Sequence, residues 1–262
     1  MKAEEFLNIL QIKGRYSFTT EEAEKALGIN RIATLNALYR LNKNKLIISP
    51  VNGFYLILLP QYQTLGCLPA DMFIDNLMKY FNLPYYVGFL SAAELYGAAH
   101  QKPQQFQVVT TENRRSIHCG RIFIRFIANK NTRSMPIKLL NTYTGTIRVA
   151  TPEMIAADII SIPTYAAGLD NSATVLLELA EQIDADKLAE LTKIHPKIAW
   201  IQKLGYLFEY LGFQKLADTL EQSLKDKKFY WTKLVPSASL PIKEKNKKWK
   251  LIINTTIEPD DV

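Results

Sequence analysis

Cysteine is scarce in this chain of 262 residues: Cys67 and Cys119 are the two copies. One disulfide is therefore the upper limit, a four-cysteine zinc site is excluded, and reduced structural thiols are expected. The three histidines, His100, His118 and His195, lie far apart with no i,i+4 ligand pair, so no metal site is expected. No stretch approaches the 18 continuous apolar residues that a membrane-spanning helix requires. The start, Met1-Lys2-Ala3-Glu4-Glu5, is acidic and no signal-like apolar segment follows it, which gives a cytoplasmic expectation. Also missing are a G-x-S-x-G elbow, a Walker loop and a dinucleotide glycine fingerprint. No phosphate-loop lysine follows Gly168. A Mg²⁺-dependent nuclease would need gathered carboxylates, yet the two strands read between 105 and 127 contain none. The chain therefore reads as a non-enzyme without cofactor.

Positive charge is plentiful. The formal net charge is +7 and the pI about 9.2, which points to an anionic partner. The charge is also segregated. Residues 101–150 hold nine cations against Glu112, a net +8; residues 151–195 sum to −6; residues 225–250, with nine lysines, sum to +7. Such blocks fit a basic binding face backed by a helical scaffold.

The first sixty residues read as a small module. Phe6, Ile9 and Leu10 share one side of a helix over residues 3–12, which Gly14 ends. Thr19 and Glu22 have the spacing of a capping box for a second helix ending at Leu27, and Asn30 caps a third from Arg31 to about Lys43. Residues 46–50, the turn Val51-Asn52-Gly53 and residues 54–57 then form a hairpin. This is the order of a winged helix-turn-helix. Rotation of the third helix at about 100° per residue sends Ile32, Leu35, Leu38, Tyr39 and Leu41 inward and leaves Ala33, Asn36, Ala37, Arg40 and Lys43 outward. An outward Asn pairs with an adenine edge and an Arg with guanine or phosphate, while alanines permit close approach to a groove. The DNA-binding candidates are thus Arg31, Ala33, Asn36, Ala37, Arg40 and Lys43, with Asn52 in the wing. A solvated helix face serving protein contacts is the competing reading, because residues 1–60 carry only +3.

Residues 60–69 read as a Pro- and Gly-punctuated linker, followed by a helix over 71–81 that Leu83-Pro84 breaks. The run from Tyr85 to His100 has helical spacing at Val87, Leu90 and Ala93 and many small residues, so a buried helix is expected to open the second domain. Strands follow at 105–109 and 121–127. The second sends Ile122, Ile124 and Phe126 to one side and Arg121, Phe123 and Arg125 to the other. Cations interleaved with an aromatic serve phosphate contact and base stacking, or merely keep an exposed sheet face soluble. Residues 143–150 continue as turn and strand. Thr151 and Pro152 begin a helix in which Asp158 has apolar neighbours, the expectation there being a structural carboxylate. Asp170 or Asn171 is expected to cap the next helix. Helices over 186–194, 197–211 and 214–225 and a last strand over 249–258 complete the chain.

The run Tyr85 to His100 with Gln104 to Thr110, the Gly168-Leu169-Asp170-Asn171 loop and the tail over 220–262, including Trp231 and Pro236, resemble AbiEi-type antitoxins of type IV (AbiE) toxin-antitoxin systems. Tyr96 stands where that pattern usually has His. The resemblance implies an antitoxin and phage-resistance role. It implies a winged helix that binds inverted repeats in its own promoter, acting as a possible dimer, and a C-terminal domain that counteracts a co-encoded nucleotidyltransferase toxin with or without direct contact. The expected fold is α/β (α+β): a winged helix-turn-helix over 1–60, a linker and connecting helix over 61–84, and an α/β antitoxin domain with a helical C-terminal portion over 85–262. Arg114, Arg115, Arg121, Phe123 and Arg125 form its expected toxin- or RNA-facing basic patch. The alternatives are a ligand-responsive winged-helix regulator and a DNA-targeted nuclease.

Overall fold

The computed structural model describes residues 1–99, 103–195, 197–236 and 242–259. His100 and Lys102, which figured in the sequence reading, lie outside them. The chain divides into two compact units. The first comprises residues 1–86, 104–130 and 139–148, and the second residues 87–103, 131–138 and 149–262. Among the described residues no helix is long and apolar enough to cross a membrane.

The first unit opens with α1 (Ala3–Ile12), β1 (Ser17–Thr19), α2 (Thr20–Leu27), α3 (Arg31–Lys43), β2 (Ile47–Val51) and β3 (Phe54–Ile57). The three strands pair antiparallel in the order β1-β3-β2, with the β2-β3 hairpin standing where the sequence reading expects a wing. Local chemistry sets the boundaries. Thr19 Oγ1 accepts from the Glu22 amide while the Glu22 carboxylate accepts from the Thr19 amide at 2.9 Å. Gly28 adopts φ 67° to end α2. Asn30 Oδ1 accepts from the Ala33 amide at 2.9 Å, which starts α3. One apolar cluster closes the module: Phe6, Leu7 and Leu10 of α1, Phe18, Ala23 and Leu27, Leu38 and Leu41 of α3, and Ile47, Tyr55 and Ile57 of the hairpin.

Further along the first unit, a short 3₁₀ turn (Ala70–Met72) precedes α4 (Ile74–Tyr80), replacing the single helix expected over 71–81. A six-stranded sheet follows, built from β4 (Tyr85–Val87), β5 (Phe106–Thr110), β6 (Ile117–Cys119), β7 (Ile122–Ala128), β8 (Ile137–Thr142) and β9 (Gly145–Ala150), in the order β6-β7-β5-β4-β9-β8. Strands β5 and β7 run parallel, with Val108 opposite Phe126, and β6 pairs antiparallel to β7 with His118 opposite Phe123. The single helix expected from Tyr85 onward is a strand followed by a helix. Tyr85, Tyr86 and Val87 are aromatic and β-branched residues that fit a pleated, buried surface. The Tyr85 hydroxyl donates to Asp75 Oδ1 at 3.0 Å and accepts from the Arg148 amide, anchoring the strand. Gly88 is still extended, and Phe89 at φ 52° turns the chain into α5 (Phe89–Leu95).

The second unit is mainly helical: α5, then α6 (Pro152–Ser161), α7 (Leu169–Leu179), α8 (Ala185–Ile194), α9 (Ala199–Tyr210) and α10 (Gln214–Leu224). The caps expected from Asp170 or Asn171 are not made. Gly168 holds the N-cap position of α7, Asp170 Oδ1 accepts from the Glu258 amide, and Asn171 donates to the Ala166 carbonyl. Thr151 occupies the N-cap of α6 without a capping hydrogen bond, although Pro152 is at the first helical position as expected. The C-terminal strand is shorter than read: β12 (Leu251–Ile253) lies between β10 (Thr232–Lys233) and β11 (Glu244–Asn246). Trp249 locks this small sheet to α9. Its indole donates to Glu209 Oε2 at 2.7 Å, and its backbone carbonyl accepts from Gln202 at 2.8 Å.

Candidate nucleic-acid interface

Helix α3 presents a different face from the one that simple rotation assigned. Thr34, Leu38 and Leu41 are buried and Ala37 packs against the same core, whereas Ile32 (75% exposed), Tyr39 (70%) and Leu35 (43%) face solvent. Burying a threonine is affordable here because its hydroxyl donates to the Asn30 carbonyl at 3.0 Å. The exposed surface therefore combines Asn36, Arg40 and Lys43, as expected, with an apolar strip of Ile32, Leu35 and Tyr39. Ala33 is half-buried, and Ala37 belongs to the core side of the helix.

Arg31 is already engaged. Its guanidinium lies 3.3 Å from Glu21 Oε1 and 3.6 Å from Glu24 Oε2, tying the start of α3 to α2. The Glu21 carboxyl is held below its usual range, first by a hydrogen bond from its own backbone and then by Thr19 and Arg31. Two carboxylates beside it leave Arg31 less charge for a phosphate than Arg40 or Lys43, for which no ion pair occurs among the described residues.

The wing is anchored at its tip. Gly53, at φ 81°, turns β2 into β3, and the Tyr80 hydroxyl donates to the Asn52 carbonyl at 3.0 Å while its ring tilts against Phe54 at 5.5 Å. The Asn52 side chain stays exposed, since the bond uses its backbone. Asn76 of α4 adds a bond to Ser17 Oγ at 3.1 Å.

The expected basic patch is partly brought together. Arg125 and Phe123 are half-buried along β7, Arg121 is exposed in the turn before it, and the Phe123 ring is stacked on the His118 imidazole at 4.2 Å. Arg114 and Arg115 lie instead in the loop ahead of β6, beside the wing. They line a cleft of about 440 Å³ with Pro50 and Val51 of β2, Phe81, Asn113, Ser116, Ile117 and His118. The Arg114 guanidinium sits 3.6 Å from the centroid of Phe81, which packs edge-on against Phe126. Sequence reasoning missed this cleft and strand β6, because the lining residues come from three separated segments and β6 has only three residues.

The two cysteines are free and buried. They hydrogen-bond to each other, which raises the Cys67 thiol well above its usual range and lowers that of Cys119. Asp158 is buried within α6, and neighbouring Glu153 accepts from the Asp184 amide at 2.9 Å, capping the approach to α8. Among the described residues the Tyr96 hydroxyl has no hydrogen-bond partner, and its backbone carbonyl accepts from Gln182 at 3.1 Å.

Residues 86–210 match the family described as AbiEi antitoxin C-terminal domain. No curated protein sequence matches the chain. The crystal structure of the RV2827C protein from Mycobacterium tuberculosis is similar in fold at 14% identity, with a TM-score of 0.68 over 95% of this chain and 90% of that one.

Proposed function

We propose, from the match of residues 86–210 to the AbiEi antitoxin C-terminal domain family, that the chain is a type IV antitoxin that also represses its own operon. What supports the repressor half is the α3 surface. Asn36, Arg40 and Lys43 stand exposed on a helix whose opposite side is fixed by a capped start and a shared core with the wing. Arg40 and Lys43 supply phosphate contacts, and Asn36 reads a base edge in the major groove. Ile32, Leu35 and Tyr39 would add apolar contact there, in place of the alanines first assigned that task.

In the antitoxin half, the chain counteracts a co-encoded nucleotidyltransferase toxin. Arg121 and Arg125, on and beside β7, offer a cationic edge to an acidic toxin surface or to the toxin's RNA substrate. Co-expression with the adjacent gene, read as growth, tests this half. Growth arrest that this chain fails to relieve would remove it.

The repressor half is tested by titrating the duplex upstream of the chain's own reading frame at several salt concentrations. Arg40→Ala with Lys43→Ala is expected to lower the slope of log affinity against log salt by about 1.8, at about 0.9 per phosphate contact. Unchanged affinity and slope would take α3 out of the interface.

A further inference from the structure

The cleft beside the wing has no part in either half of that reading, and its wall has a definite chemistry. Arg114, Arg115 and His118 line it together with the polar side chains of Asn113 and Ser116, and no carboxylate is among the lining residues. Among the described residues, Arg114 and Arg115 make no ion pair. The neighbour of the Arg114 guanidinium is the ring of Phe81 at 3.6 Å, a separation at which a planar cation lies against an aromatic face. That ring is itself fixed edge-on by Phe126 at 6.3 Å, and Pro50, Val51 and Ile117 supply an apolar floor.

A concave site of about 440 Å³ with unpaired cations and a stacked guanidinium excludes several occupants. An apolar ligand would leave the guanidinium groups unpaired. A bare inorganic anion would leave the floor and the Arg114 plane unused. Bases inside a duplex are already stacked and cannot enter. We propose that the cleft binds a nucleotide, with its base stacked on the plane formed by Arg114 and Phe81 and its phosphate on Arg115. Unstacked bases are commonly held against aromatic rings and guanidinium planes, and Arg matches phosphate geometry in a bidentate fork. The source is a free nucleotide or one nucleotide of a single strand, since both present the same base and phosphate. The site stands apart from α3, so it holds or fails independently of operator binding.

The test is a titration of the full chain by calorimetry with each of the four ribonucleoside 5′-triphosphates, a four-nucleotide single-stranded DNA and inorganic triphosphate. Saturable binding of a nucleotide or of the oligonucleotide, at least about tenfold tighter than inorganic triphosphate, is the expected result, given that a charged hydrogen bond or a stacked base each supply that much. The tighter of the two identifies the source. Arg115→Ala and Arg114→Lys are each expected to weaken binding about tenfold, the second because lysine keeps the charge and loses the plane. Lys13→Ala, exposed and outside the cleft, is expected to leave it unchanged. Equal affinity for inorganic triphosphate, an equal loss from Lys13→Ala, or no saturable binding of any nucleotide or oligonucleotide at millimolar concentration would each overturn the assignment.

Discussion

The Tyr80 hydroxyl donates to the backbone carbonyl of Asn52 at 3.0 Å, so a helix outside the winged module holds the tip of the wing. The same hydroxyl closes over Gly53, where a Cβ would meet it at 2.5 Å, and Gly53 itself sits at φ 81°. Removing the hydroxyl with Tyr80→Phe is expected to cost about 1 kcal/mol, the usual net worth of one such bond. Gly53→Ala is expected to cost about 1–3 kcal/mol, from left-handed strain plus the clash. In the Tyr80→Phe background the Gly53→Ala cost should fall, since the clash is gone while the strain stays. Urea unfolding of the four proteins in this cycle measures the coupling. Strictly additive costs would mean that the hydroxyl does not press on the turn.

A second close approach fastens the C-terminal sheet. A Cβ on Gly205 of α9 would meet the indole of Trp249, a fully buried side chain whose Nε1 is committed to Glu209. The ring has no way to retreat without breaking that bond. Gly205→Ala is therefore expected to destabilise by roughly 1–3 kcal/mol or more, despite the better helix propensity of alanine, which favours the substitution by about 1 kcal/mol. Denaturant unfolding followed by tryptophan fluorescence reads the effect. A gain in stability would show that the indole has room to move.

The elements that the sequence revealed are those with a complete local signal. Thr19 with Glu22, Asn30 before the periodic run and Asn52-Gly53 between two apolar strands each fix a boundary through contacts within a few residues. What stayed hidden depends on distant partners. The apolar positions of α3 surround too much of the helix for period alone to choose a face, and the choice fell on Thr34, whose hydroxyl the Asn30 carbonyl satisfies. Strand β4 was masked by the small residues that follow it, and its place is fixed by Asp75 and Arg148. At the candidate sites, the exposure of Asn36, Arg40 and Lys43 was legible from rotation, whereas the Arg114 cleft needed residues 50, 81 and 114 to converge.

Face selection on α3 gives a direct comparison. Leu38 is 2% exposed within the module's core, and Leu35 is 43% exposed. Leu38→Ala is expected to cost about 2–5 kcal/mol through lost burial and a residual cavity, and Leu35→Ala about 0.5 kcal/mol or less. Thermal unfolding orders the two. Comparable costs would restore the inward face first read from the sequence, which held both leucines. If α3 enters a groove, Leu35→Ala and Tyr39→Ala should instead show their effect in operator binding, leaving the melting temperature nearly unchanged.

Acid sensitivity follows from His195. Its ring packs edge-on against Trp200 at 5.4 Å, and burial, the largest cause, lowers its pKa below the usual histidine value, with Lys197 adding a smaller opposing hydrogen bond and a repulsion. A folded pKa below the unfolded one means that the unfolded chain binds the proton more readily. The stabilising contribution of the neutral ring is then complete above the unfolded value of about 6.5 and declines as pH falls through the lower, folded value. His195→Gln keeps a polar side chain and removes the titration. Between pH 7.5 and pH 5, roughly the range on either side of an ordinary histidine pKa, the wild type is expected to lose more stability than this variant, so that their difference shifts in favour of His195→Gln in acid. Parallel stability curves across that range would show that His195 titrates alike in the folded and unfolded chains, and its burial against Trp200 would then carry no proton linkage.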